Sequence, residues 1–288
     1  MKYRHSFHAG NFADVHKHVA LLALIEALQR KDSGFLYVDT HAGRGLYDLG
    51  SGEAHHGVEA RHGIVQLEQA SGQGSSDDAT IQRYLQAVQA ARGAAHVPQG
   101  YPGSPLLAAR ALRSQDRGSC FEIQPPECRA LERSLGGLRR VHCECADGYR
   151  HLSAVLPPPE RRALVLIDPP YENLSADFEA SLKAIELTLQ RLANAIIAIW
   201  YPIKDERPIS LWLARVAQML PVATLVSELW LYPRDSRVAL NGSGLLIVNP
   251  PYQYFEQMQQ WLPALATALQ APRQGGGHTQ RWIHHDRD

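Results

Sequence analysis

The 288-residue chain is short of several things, and each lack excludes a class of protein. Its four cysteines, Cys120, Cys128, Cys143 and Cys145, include no CxxC pair, so neither a disulfide framework nor a zinc ribbon is expected. No apolar run approaches the ~18 residues of a membrane-spanning helix. The opening Met1-Lys2-Tyr3-Arg4-His5-Ser6 lacks the apolar core of a secretion signal. A cytoplasmic location off the membrane is therefore expected. Lysine is scarce, with 5 residues against 24 arginines. Arginine suits bidentate phosphate contacts, although a biased genome composition produces the same skew. Net charge is missing as well: 29 basic residues balance 29 acidic ones. That excludes a uniformly basic nucleic-acid coat but not local patches. What remains is ordinary globular composition, 45% hydrophobic and 20% charged. The length fits one large domain, or a core with one insertion.

Short apolar runs alternate with helical patterns. Gly34–Asp39, Gly118–Ile123, Ala163–Ile167 and Ala195–Trp200 read as strands buried on both faces. Helical stretches lie between them, which predicts βαβ units and an α/β, Rossmann-like, mostly parallel sheet. Thr224–Tyr232 and Gly244–Val248 read as an antiparallel pair at the C-terminal edge of that sheet. Four parts follow from this pattern. Residues 1–45 carry an N-terminal motif and the first strand, and 46–100 form a helical insertion with no strand in it. Residues 101–271 complete the domain, and 272–288 form a mobile basic tail rich in glycine.

The first strand ends in Asp39-Thr40-His41-Ala42-Gly43-Arg44-Gly45. A strand running through an acidic residue into G-x-G is a nucleotide-site loop, because glycine permits a tight turn and close approach to a ligand. It is not GxGxxG, which weighs against a dinucleotide oxidoreductase. Glu122, Asp147-Gly148 and Asp168 end further strands, so four acidic strand ends (with Asp39) gather where such sheets bind ligands. One acidic strand end is usually only a helix cap. Four suit a cationic ligand with a ribose, as S-adenosylmethionine is. Gly103-Ser104-Pro105 opens a helix with Ser104 read as N-cap, and that helix end either receives the ligand's carboxylate or is simply capped.

Asp168-Pro169-Pro170-Tyr171 follows the strand Ala163–Ile167 and is the strongest motif. The exocyclic amine of a base is a poor nucleophile, because its lone pair is delocalised into the ring. The Asp168 carboxylate and the Pro169 carbonyl can both accept its hydrogens. Two prolines keep these acceptors fixed, and Tyr171 can stack on an extruded base. Asn249-Pro250-Pro251-Tyr252 is locally as good a match. Too little chain follows it to complete a sheet, so it is read as a structural turn, with the other assignment left open.

These motifs resemble those of class I amino methyltransferases. The run Tyr3-Arg4-His5-Ser6-Phe7-His8-Ala9-Gly10-Asn11-Phe12-Ala13-Asp14-Val15-His16-Lys17-His18 more closely resembles the opening of the RlmJ family, as do Asp39–Gly43, Gly103–Pro105 and Asn241-Gly242-Ser243-Gly244. The resemblance reaches about Leu269. It implies methylation of adenine N6 in 23S rRNA (family target adenine 2030). It further implies S-adenosylmethionine held by His18, His41, Gly43, Ser104, Glu122, Asp147, Gly148 and Asp168. Asp168, Pro169 and Tyr171 would be catalytic, and Tyr3, His5, Lys17 and Tyr171 would meet the RNA. A monomer without metal is expected. A DNA adenine methyltransferase and a catalytically silent RNA-binding protein remain the alternatives.

Five histidines near the front (His5, His8, His16, His18 and His41) invite a metal reading, but His16 and His18 lack the i, i+4 spacing of a helical zinc site. Arg129, Arg133, Arg139, Arg140, Arg161, Arg162, Arg234 and Arg237 are candidates for a phosphate-contacting surface. So are Arg61, His62, Arg83 and Arg92 in the insertion. A solvated helix face explains any one of them equally well.

Overall fold

The computed structural model describes residues 8–50, 56–73, 77–234, 236, 238, 240–270 and 275–285. Tyr3, His5 and Arg237 lie outside them. Helix α1 (Phe12–Gln29) begins where the Asn11 side chain accepts from the backbone N–H groups of Ala13 and Asp14, each at 3.0 Å. Nearly every residue of α1 is buried, as expected of a helix apolar on all sides.

Strand β1 (Leu36–Asp39) follows. β2 (Leu46–Asp48) opens the insertion, which holds α2 (His56–Arg61), α3 (Ile64–Gly72) and α4 (Ala79–Ala95) and closes with β3 (Gly100–Pro102). Alternation resumes with α5 (Ser104–Ala111), β4 (Arg117–Phe121), α6 (Pro125–Ser134), β5 (Val141–Glu144), α7 (Gly148–Val155), β6 (Ala163–Ile167), α8 (Leu174–Arg191) and β7 (Ile196–Ile203). The chain ends in α9 (Glu206–Met219), β8 (Thr224–Trp230), β9 (Gly242–Val248), α10 (Tyr254–Gln270) and β10 (Gly277–His284).

Eight strands form one sheet in the order β10-β8-β9-β7-β6-β1-β4-β5. β7, β6, β1, β4 and β5 are mutually parallel, so the α/β Rossmann-like reading holds. One hydrophobic core, built with α1, α5, α10 and the insertion, covers one face; α7, α8 and α9 cover the other. The chain builds outward from β1 through β4 to β5, then crosses back to β6. The carboxyl ends of β1 and β6 therefore flank the point where strand order reverses, which is where such folds bind ligands.

Three expectations change. The insertion is bounded by strands: β2 and β3 pair antiparallel, Leu46 opposite Pro102, and hold its two ends together. The β8–β9 pair is antiparallel as expected but is not the edge, because β9 sits between β7 and β8. The edge is β10, formed by residues read as a mobile tail. Its sequence is polar, but its backbone pairs with β8 from Gly277 to His284, and Trp282 stacks on Phe255 of α10 at 5.2 Å. An edge strand with neither face fully buried shows almost no two-residue hydrophobic period, so composition alone reads it as tail.

Candidate active site

The four acidic strand ends lie along one edge of the sheet, but they do different work. Asp39 is fully buried, and its carboxylate accepts from the Tyr37 hydroxyl and the Ser104 hydroxyl, both at 2.7 Å, and from the His41 N–H at 3.2 Å. Burial raises its pKa against those three donors. Ser104 is thus not the N-cap. Gly103 holds that position without a side-chain bond, and Ser104, one residue inside, ties α5 to the end of β1.

Glu122 accepts from the Gly43 N–H at 2.9 Å and from the Gln124 N–H at 2.7 Å, and burial raises its pKa. It therefore braces the G-x-G loop, where Gly43 and Gly45 both adopt positive φ, the region that glycine tolerates without strain. Asp147 caps α7 through the N–H groups of Tyr149 and Arg150. His41 meets the Thr40 hydroxyl at 2.8 Å and packs edge-on against Tyr149 at 4.9 Å, forming an aromatic wall beside Asp147.

Gly148 explains itself by contact. A Cβ there would stand 2.2 Å from the Thr40 carbonyl oxygen, so α7 can approach the β1 loop only through a glycine. Gly148→Ala is expected to destabilise the protein by about 1–3 kcal/mol, the usual range for overpacking a tight site. Gly93 lies in α4 with nothing within 4 Å of its virtual Cβ. Gly93→Ala should stabilise by about 0.5–1 kcal/mol. Thermal unfolding of the two variants should shift in opposite directions.

Asp168 is 7% exposed and sits against Lys17, whose ammonium is 3% exposed and bonds both Asp168 and, at 2.8 Å, Asp14. Burial alone would lower the Lys17 pKa; the two carboxylates outweigh it and raise it. The expected contact of Lys17 with RNA is therefore corrected. Its charge is spent inside the protein on Asp14 and Asp168, and Asp14 is a site residue that the motif reading missed. The i, i+3 spacing of Asp14 and Lys17 was the available signal.

Pro169 is buried and Pro170 is exposed. Tyr171 adopts φ +51, an unusual value for a residue with a side chain, and its hydroxyl donates to the Trp200 carbonyl at 2.6 Å. His18 turns toward the insertion, where its Nδ1 meets the Tyr101 hydroxyl at 2.8 Å. His16 points elsewhere, to Ser243 and Ser227. Among the described residues, no group of three His, Cys, Asp or Glu side chains is placed to hold a metal ion.

A cavity of about 360 Å³ opens beside Asp168, lined by Phe12, Asp14, Lys17, Tyr171, Trp200 and Leu231 among others. His8, Glu59, His62 and Lys204 also line it. The N-terminal motif docks on the insertion here: His8 Nδ1 lies 2.8 Å from Glu59, Asn11 donates to Glu59 at 3.2 Å, and the Ile64 N–H donates to the Gly10 carbonyl.

The bond to Glu59 raises the His8 pKa above its usual 6.5, against burial, which lowers it. Burial would raise Glu59, but His8 and Asn11 together bring it below 4.5. The His8 contribution is full below its unfolded pKa and is lost as pH rises through its raised folded value. The Glu59 contribution is full above its unfolded pKa and is lost only in acid. The clamp is thus tightest between roughly pH 4.5 and 6.5. Folding stability should fall through the step above pH 6.5, and His8→Gln should remove that step in urea unfolding.

Asn249 lies at the opposite end of the molecule. Because β9 runs antiparallel to β7, its last residue reaches the amino ends of the parallel strands. There the Asn249 amide donates to the carbonyls of Ala193 and Ala195, and Tyr252 is 83% exposed. The same logic locates four of the arginine candidates. Arg139 and Arg140 precede β5, and Arg161 and Arg162 precede β6, so all four sit at the end away from the cavity. Arg162 there donates to the Leu28 and Ser33 carbonyls and Arg140 to that of Ser114. Arg83, Arg92 and Arg234 pair with Glu26, Glu68 and Glu206 respectively. Arg61, Arg129 and Arg133 are exposed.

The chain matches known proteins over nearly its whole length. The profile of the family described as RsmJ, ribosomal RNA large subunit methyltransferase D, RlmJ, matches residues 32–284. The chain belongs to the RlmJ family. Ribosomal RNA large subunit methyltransferase J of Haemophilus influenzae is 37% identical over 287 residues, spanning 98% of this chain and 99% of its own length. The Escherichia coli protein of that name is 38% identical over 285 residues, with the same coverage. The crystal structure of protein LPL1258 from Legionella pneumophila superposes with a TM-score of 0.85 at 30% identity, covering 95% of this chain and 98% of that one. In this RlmJ-family methyltransferase, the matched region takes in every strand of the sheet, β10 included.

Proposed function

We propose that this protein transfers a methyl group from S-adenosylmethionine to the exocyclic N6 of one adenine in 23S rRNA, the family's adenine 2030. The observation that carries the reading is Asp168: a carboxylate on the wall of a base-sized cavity, at the sheet's switch point, with one oxygen held by a buried lysine.

The cofactor slot fits its proposed occupant on two counts. Carboxylates at Glu122, Asp147 and Asp168 suit a ribose diol and a cationic centre. The buried Tyr149 hydroxyl nearby has no hydrogen-bond partner among the described residues, so a ligand there would satisfy it. His18, His41, Gly43, Ser104, Glu122, Asp147, Gly148 and Asp168 would hold the cofactor, with its carboxylate at the start of α5. Ile123, 62% exposed next to Glu122, offers an apolar face for its adenine. The bound cofactor supplies an electrophilic methyl group.

The chain's own residues orient the nucleophile. The Asp168 oxygen not held by Lys17 and the Pro169 carbonyl accept the two amine hydrogens and direct the nitrogen lone pair at the methyl carbon. Lys17, already protonated, has no place for the proton released afterwards, so its part is to fix Asp168. Tyr3 and His5 are assigned to the RNA by family resemblance alone, and RNA approaches along the rim formed by His62 and Lys204.

The test is transfer of labelled methyl to 23S rRNA from a strain lacking this gene, followed by mass spectrometry of the nucleosides. One new N6-methyladenine is expected. Transfer to adenine in duplex DNA instead, or binding of rRNA without transfer, would overturn the reading.

A further inference from the structure

Two of the motifs that carry the family resemblance, the histidine-rich start of α1 and Asn241–Gly244, meet in the core, away from the reacting atoms. His16, Ser227 and Ser243 are all fully buried. His16 Nε2 lies 2.9 Å from Ser227 Oγ, and its Nδ1 lies 2.9 Å from Ser243 Oγ. Ser243 Oγ in turn accepts from the Trp200 indole N–H at 2.9 Å. The indole nitrogen only donates, so the direction of that bond is settled. A polar chain through an apolar core is costly unless each member is satisfied, and here each is. Burial pushes the His16 pKa down to about 3, so it stays a neutral, two-ended linker. Gly244, the other end of the motif, lies under the Tyr201 ring, where a Cβ would stand 2.1 Å from a ring carbon. The motif thus serves both faces of β9: a glycine admits Tyr201 on one side and Ser243 holds Trp200 on the other.

What the chain holds is the flat wall of the cavity. Trp200 is half-buried, lines the cavity, and its ring centroid lies 5.9 Å from the Lys17 ammonium that bonds Asp168. Tyr171, the residue expected to stack on the base, is 8% exposed. Its ring packs edge-on against Phe178 at 5.5 Å and Trp200 at 5.7 Å, and its hydroxyl is tied to the Trp200 carbonyl. It buttresses the wall and presents little free face of its own.

We propose that the target base stacks on the Trp200 indole, and that His16 and Ser243 are positioning residues that fix the plane of that indole relative to Asp168. This deepens the adenine-methylation reading and rests on it. Stacking of a base on an aromatic side chain is sequence-tolerant and strong enough for its loss to be measured. A free indole would rotate, and a base stacked on it would carry its amine away from an acceptor fixed on a different strand.

The probe is 2-aminopurine ribonucleoside monophosphate, whose fluorescence is quenched on stacking, read together with methyl transfer to rRNA. In wild type the probe should be quenched on binding. Trp200→Leu should relieve the quenching and lower kcat/KM by about 10–100-fold, because both the stacking of the base and the aim of its amine at Asp168 are lost. Trp200→Phe keeps a ring and should retain most of the binding.

Ser243→Ala separates a positioning role from a structural one. It should lower kcat/KM several-fold in the wild-type background and have no further effect in Trp200→Phe, where no indole remains to be held. An equal effect in both backgrounds would reduce Ser243 to a structural residue and overturn its part. If Trp200→Leu keeps both quenching and kcat/KM while Tyr171→Leu loses them, the base stacks on Tyr171 and the proposal falls. If wild type methylates no adenine, the functional reading falls first, a result distinct from the other two.

Discussion

Asp168→Asn is expected to lower kcat for methyl transfer by about 10²–10³-fold or more, the range seen when one preorganised polar contact to a transition state is removed. The argument rests on Lys17. The buried ammonium will take the one oxygen of the new amide, as it now takes a carboxylate oxygen. The amide NH2 then faces the substrate amine, donor against donor, where an acceptor stood. The fold should survive, because Lys17 keeps Asp14 as its counter-charge. Asn249→Ala is the matched control. It removes two bonds to the Ala193 and Ala195 carbonyls at the far end of the sheet, which should cost stability of about 1–3 kcal/mol and leave kcat unchanged. Full activity in Asp168→Asn with loss in Asn249→Ala would show that the wrong Pro-Pro-Tyr motif had been assigned.

Lys17→Met should be the most destabilising single change in the site. It leaves the Asp14 and Asp168 carboxylates buried and facing each other with no cation between them. Removing one partner of a buried ion pair costs about 3–5 kcal/mol. The pH dependence carries a definite sign. Two carboxylates sharing a buried site favour binding a proton, so one of them is protonated more readily in the folded variant than in its unfolded chain. Folding is therefore helped as pH falls. Urea unfolding at pH 7.5 and at pH 5 should show the deficit against wild type shrinking in acid. Adding Asp14→Asn to Lys17→Met should recover part of the lost stability, because it removes the repulsion. A deficit that is independent of pH would mean that lost packing, and not stranded charge, dominates.

Much of the sheet was legible in the sequence because its central strands are buried on both faces. Ala163–Ile167 is an unbroken apolar run, and the structure forms a strand over those same residues. Asp39 and Asp168 were legible by the same route, since each closes or follows such a run, whereas Asp147 follows the mixed Val141-His142-Cys143-Glu144 of a part-buried strand. What sequence could not convey is which of their oxygens are already occupied. Asp39 and Asp147 read like Asp168, yet Asp39 spends its carboxylate on Tyr37, Ser104 and His41, and Asp147 caps a helix. The family resemblance set Lys17 against RNA, and helix spacing does not reveal its burial when all sides of α1 are covered. Trp200 read as the last residue of a core strand, and only the meeting of α1, β7 and β9 shows it to be a cavity wall. The placing of several arginines is legible too. Residues just before a parallel strand lie at the opposite end of the sheet from residues just after one, so Arg139, Arg140, Arg161 and Arg162 could have been set aside from strand order alone.

The β2–β3 ribbon has a consequence in chain entropy. It holds the two ends of the insertion side by side, Asp48 opposite Gly100, so the closure cost of everything between them is met at the ribbon. Beyond that point, each doubling of a loop's length adds only about 0.6 kcal/mol. The loops that join the helices between the two strands can therefore lengthen or shorten with little effect on Asp39, Glu122 or Asp168, whose positions are set by the large sheet. The part of the molecule that can vary cheaply is thus also the part clamped to the N-terminal motif at the cavity mouth through His8 and Glu59. Selection can retune what the cavity admits without touching the groups that react.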